Sequence, residues 1–191
     1  MAGEFPEFRL GSVLATSFTA TLTERCGDPV ERIPTPQRCV DWLAVNGLAV
    51  PSCTAAQLEL ARELRESVHL AATAAAVHDA PPASAVDVIN DCSIRGGAAA
   101  VLTSDGNREW RLGSTTGVDD ALGVIAGDAI SILSGERDGR LALCASPTCR
   151  AAFFDTSRSR TRRWCEMNTC GNRQKKARFH ANQRQATGSA P

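Results

Sequence analysis

Four of the eight cysteines stand as two pairs with the same internal spacing, Cys144-x4-Cys149 and Cys165-x4-Cys170, with fifteen residues between the pairs. Thiolates so arranged are a ligand set for one structural Zn2+ ion, held tetrahedrally with no position left open for catalysis. An iron–sulfur cluster, whose usual cysteine runs are tighter, and four unligated thiols are the competing readings of the same residues. Cys26, Cys39, Cys53 and Cys92 fit no ligand spacing and read as ordinary buried or half-buried thiols. A zinc ion would contribute on the order of 10 kcal/mol to ordering a segment too small to bury its own core.

The same segment is basic. Residues 136 to 191 hold twelve Arg or Lys against four acids, a net +8, so the zero total leaves −8 on residues 1 to 135. An acidic body with a basic tail points to a polyanionic partner for the tail. Arg158, Arg160, Arg162 and Arg163 lie between the cysteine pairs, and Arg173, Lys175, Lys176, Arg178 and Arg184 follow them on a predicted helix. These nine are the candidate phosphate contacts, with Arg173, Lys176, His180 and Arg184 near one helix face. The competing role is structural: four thiolates leave a zinc site at −2, which Arg150, Arg163 and Arg173 would offset. Trp164, Phe153, Phe154 and Phe179 read as the small core of this segment, and Asn168 as the cap of its helix. With no tyrosine in the chain, the stacking surface that single-stranded RNA favours is poorly supplied, so RNA is the weaker nucleic-acid reading.

The elements that must carry this tail read as follows. Residues 10 to 21 are β-compatible and predict an early strand, and CGDPVERIPTP a loop. Thr35 and Pro36 start a short helix closed by Gly47. Thr54 with Gln57 forms a capping box before a helix from about Ala55 to Val77, with Leu60, Leu64, Val68, Ala71 and Ala75 as its inner stripe and Arg62 and Glu66 as a surface pair. A third helix runs from Ala83 to about Ile94. Residues 98 to 112 predict a hairpin turning at Asp105-Gly106, and Thr115 or Thr116 caps a fourth helix that ends at Gly135. The chain divides at 135/136, where the composition turns basic. The expected fold is α+β: a mainly helical N-terminal domain with a small β-sheet, then a treble-clef-like four-cysteine zinc finger.

CASPTC followed by RRWCEMNTCGNRQKKARFHANQR resembles the CGNR zinc finger, whose name is spelled by Cys170-Gly171-Asn172-Arg173. The LARELRESV helix and the hairpin with its following helix are similar to the ABATE domain, which precedes this finger in bacterial stress-induced transcription regulators. Where that family usually has an acid before the phenylalanine and an asparagine shortly after it, this chain has Ser17 and Ala20. The resemblance implies a transcription regulator.

The expected function is therefore a zinc-dependent regulator binding double-stranded DNA, with residues 1 to 135 sensing an unidentified small-molecule effector or self-associating. A zinc-finger adaptor that docks another protein is the alternative. Catalysis is not expected: no phosphate loop, nucleophile elbow or H-E-x-x-H is present, and His69, His78 and His180 have no evident partners and read as surface or edge residues. No apolar run approaches the roughly 20 residues of a membrane span. The acids in MAGEFPEFRL argue against a signal peptide, so a cytoplasmic protein is expected.

Overall fold

The computed structural model describes residues 5–11, 13–113 and 117–187, with side chains to 184. The elements run α1 (Leu14–Thr19), β1 (Leu22–Thr23), β2 (Val30–Glu31), α2 (Pro36–Val45), α3 (Ala55–Ala76), α4 (Ala83–Arg95), β3 (Ala99–Leu102), β4 (Arg108–Arg111), α5 (Val118–Leu133), β5 (Arg140–Leu143), β6 (Ala152–Asp155) and α6 (Asn172–Thr187). One π-helical turn, Met167–Gly171, leads into α6. The strands form three separate antiparallel pairs: β1 with β2, β3 with β4, and β5 with β6. Among the described residues no helix is long and apolar enough to cross a membrane.

Local rules account for the long helices. Thr35 accepts from the Arg38 N–H with Pro36 at the first helical position, and both bonds of the Thr54/Gln57 capping box are made. α3 then buries Leu58, Ala61, Leu64, Val68 and Ala71 against α4, α5 and α1, with Leu60 and Ala75 half-buried beside them. The predicted Arg62–Glu66 pair does not form. Arg62 turns back to Glu59 at 2.7 Å, because Glu66 is held by Arg25 at 2.5 Å and by Arg65 at 2.8 Å. The hairpin forms as expected, with Gly106 at φ +77° in its turn and Leu102 opposite Arg108. The threonines expected to cap α5 lie outside the described residues. Gly117, at φ +68°, precedes that helix.

The expected strand over residues 10 to 21 is instead the buried helix α1. Its sequence carries no capping side chain of its own. The Ala15 N–H is satisfied from 113 positions away by Asp128 of α5 at 2.8 Å, and Phe18 packs on Trp42 with ring centroids 5.0 Å apart. Tertiary partners thus override a weak local β preference. Likewise, the stretch expected as a loop contains β2, whose Val30 pairs with Thr23.

The β5–β6 pair is a shared wall. Alternation sends Leu141, Ala152 and Phe154 into the main core, while Ala142, Ala151 and Phe153 face the cysteine cluster. Gly139 is required here, since a Cβ at that position would lie 2.1 Å from the Phe154 ring.

Candidate metal centre

The first cysteine pair sits on the turn that joins β5 to β6. The Cys144 N–H donates to the Ala151 carbonyl at 2.9 Å, and the N–H groups of Cys149 and Arg150 both reach the Ser146 carbonyl at 3.1 Å. This tight knuckle presents two sulfurs on one side. The loop from 156 to 163 then crosses back, braced by Asp155, whose two oxygens accept the Ser157 and Arg162 N–H groups, each at 2.9 Å. Burial alone would raise the Asp155 pKa, yet those hydrogen bonds and the Arg162 charge hold it below the ordinary carboxylate range. Ala145 donates its N–H to the Arg163 carbonyl at 2.8 Å, which sets the second pair beside the first.

Cys170 lies in the π-helical turn rather than in the first turn of an Asn168-capped helix, which corrects the expected cap. Gly171 donates to the Glu166 carbonyl at 3.2 Å and Thr169 to the Glu166 side chain at 2.7 Å. A Cβ at Gly171 would meet the Met167 sulfur at 2.4 Å, so a side chain there would displace the exposed Met167.

All four sulfurs lie within 4.8 Å of one another. Cys149 and Cys170 each stand 3.7 Å from Cys165, close to the roughly 3.8 Å edge of a tetrahedron with 2.3 Å zinc–sulfur bonds. Cys144, Cys149 and Cys170 are fully buried. By themselves the thiols compete for charge: hydrogen bonds from Cys149 and Cys165 hold the Cys144 pKa far down, while the Cys144 thiolate pushes Cys149 up to about 12 and Cys165 upward as well. A divalent cation is what lets four thiolates share this space. The donor set and spacing fit a single structural Zn2+.

The basic residues are sorted by the fold. Arg173 binds Glu24 at 2.6 Å and so belongs to the junction with the body. Arg160 pairs with Asp138. Arg162 donates to the Cys165 carbonyl at 2.8 Å and lies over the Phe153 ring, and Arg163 stacks on Trp164. Arg158, Lys175, Lys176 and Arg178 are exposed, and no carboxylate pairs with them among the described residues. Arg184 is exposed on the same helix. Of the expected aromatic core, Phe153 and half-buried Trp164 pack on the cluster, but Phe154 faces the main core and Phe179 is 59% exposed.

Glu24 and Thr148 carry no sequence signal of their own. Thr148, inside the knuckle, donates to Glu24 at 2.8 Å and accepts the Cys26 N–H on its carbonyl at 3.0 Å, locking the knuckle to the turn after β1. Burial would raise the Glu24 pKa, but its bonds to Arg173 and Thr148 bring it below the ordinary value.

Comparison with known families agrees with this geometry. Residues 140–183 match the CGNR zinc finger, and residues 12–136 match ABATE, described as "Putative stress-induced transcription regulator". No curated protein matches the chain. With well over half its length matched by that model, the chain belongs to the ABATE family and carries a CGNR zinc finger after the ABATE domain.

Proposed function

We propose that the protein is a zinc-dependent transcription regulator whose finger binds double-stranded DNA and whose ABATE domain, residues 1 to 135, senses or self-associates. The supporting observation is α6. Every described side chain from Asn172 to Arg184 except half-buried Gln174 is exposed, and Lys175, Lys176 and Arg178 project from it without carboxylate partners among the described residues. A helix of 16 residues, about 24 Å long, exposed along its described side chains and with a metal-binding cysteine bracing its start, is shaped to meet a groove. Arg158 and Arg163 on the preceding loop add phosphate contacts. A regulator of this kind works in the cytoplasm.

Exposed Phe179, an apolar ring on an otherwise polar helix, favours the second reading, an adaptor whose α6 docks another protein. Duplex binding measured against salt separates the two. With about five phosphate contacts, log K falls with log salt at a slope near −4 to −5. Absence of binding at low salt removes the DNA reading.

A further inference from the structure

Beneath the β3–β4 hairpin, α4 and α5 form the base of a half-open cleft of about 490 Å³, within the range of small-molecule sites. Glycine shapes its base. A Cβ on Gly123 would lie 2.6 Å from the Gly96 Cα, so the two backbones touch there. One turn further along α5, a Cβ on Gly127 would meet nothing within 4 Å. Half-buried Trp110, Leu14 and Val124 supply apolar wall. The hairpin itself is loosely seated, since both its strands are mostly exposed and Trp110 is the β4 residue turned inward.

The charges lining this space do not cancel. Arg137 is paired with Asp128 at 2.5 Å, and the other Asp128 oxygen accepts the Ala15 N–H. The one carboxylate among the described lining residues is therefore fully engaged. Arg108 remains, its guanidinium 4.9 Å from the centre of the Trp110 ring, with no carboxylate partner among the described residues. Arg108 is exposed and solvated when the space is empty, and a net single positive charge beside an indole favours a monoanion with a flat apolar body over a cation or a neutral molecule.

We propose that this cavity binds a small aromatic carboxylate, with Trp110 and Val124 against the ring and Arg108 on the carboxylate. The inference rests on the regulator reading above and deepens its sensing role. A carboxylate that also reached Arg137 would compete with Asp128, the residue that both satisfies the start of α1 and anchors the turn into β5.

The test is calorimetric titration of the zinc-loaded full-length protein with benzoate, salicylate, indole-3-acetate and 1-naphthoate, each against its neutral amide. At least one carboxylate is expected to bind below about 1 mM and about tenfold tighter than its amide. Arg108→Gln removes that preference, and Gly127→Leu, which fills open space, removes binding of both, with circular dichroism and zinc content unchanged. Ser93→Leu, filling the cavity from α4, is the second blocking variant should Gly127→Leu not fold. Failure of the whole set to bind, or a preference that survives Arg108→Gln, overturns the proposal. DNA binding is measured on the same preparation: its loss with carboxylate binding retained overturns the regulator reading and supports the cavity, whereas the reverse result overturns the cavity alone.

Discussion

Glu24 and Arg173, separated by 149 positions, meet at 2.6 Å across the junction of the ABATE domain and the zinc finger. The contact takes one arginine of the basic tail and sets it on the acidic body. It also reaches the metal centre, because the Glu24 oxygen that receives Arg173 receives the hydroxyl of Thr148 between the first two cysteines. The division of charge between −8 and +8 halves thus has a structural counterpart at this ion pair, as it has at Asp128–Arg137.

Glu24→Gln tests whether this pair masks the tail. Removing the carboxylate charge frees the Arg173 guanidinium, which is 47% exposed, to turn toward phosphate. DNA affinity is expected to rise, and the salt slope to steepen by about 1. An unchanged slope would show that Arg173 has a purely structural role.

Metal removal should act on more than the finger. Leu141, Ala152 and Phe154 lie in the main core, while Ala142 and Phe153 on the same strands pack on the cysteines. Chelation is expected to expose residues 156 to 187 to protease and to lower the thermal midpoint of the helical body, by about 2–4 °C for each kcal/mol lost. Cys149→Ser or Cys165→Ser should reproduce both effects. A zinc-free preparation whose tail resists protease would contradict the metal assignment.

An element was legible in the sequence where its determining partner lay near in the chain. The Thr54/Gln57 capping box, the Asp105-Gly106 turn and the cysteine pairs are each decided within a few residues, and each formed. α1 is held by Asp128 and Trp42, and Glu66 by Arg25, so neither outcome had a local signature. Phe154 shows a subtler failure. Its strand was legible, but which alternate face met the zinc and which the body required the hairpin to be placed on α3 and α1. The basic residues were legible as charge, whereas the pairing of Arg160 and Arg173 with Asp138 and Glu24 was not.

Asp155→Asn should loosen the loop between the cysteine pairs. The buried carboxylate accepts two backbone N–H groups, and an amide can accept on one oxygen alone. A loss of about 2 kcal/mol is expected in thermal unfolding of the zinc-loaded protein, with new protease cleavage between 156 and 163. Because the folded pKa is lowered, this contribution is present above the unfolded value and disappears as pH falls through the folded one. Equal protease resistance in the variant would mean that Asp155 does not brace the loop.

His69, expected at a surface or edge, is a group of the body itself that should add sensitivity to acid. Burial lowers its pKa from 6.5 to about 4, the Arg25 charge adds to the shift, Glu66 opposes it and Arg65 adds again. Its Nδ1 is buried without a hydrogen-bond partner among the described residues. The folded protein therefore keeps the ring neutral while the unfolded chain protonates, so stability is complete above about pH 6.5 and falls as pH drops toward 4. The carboxylates with lowered pKa values, Glu24, Glu66 and Asp155, lose their contributions only at more acidic pH. Unfolding of the zinc-loaded finger also takes up protons, because its released thiolates protonate, so the His69 share is read as the difference between wild type and variant. Between about pH 6.5 and 5.5 the loss from His69 alone is about 1 kcal/mol. His69→Gln should make the fall in stability by urea unfolding across this window shallower by about 1 kcal/mol than in the wild type and leave the steeper loss at lower pH in place. A wild-type midpoint already flat between those values, or a variant that keeps the same slope, would place the acid sensitivity elsewhere.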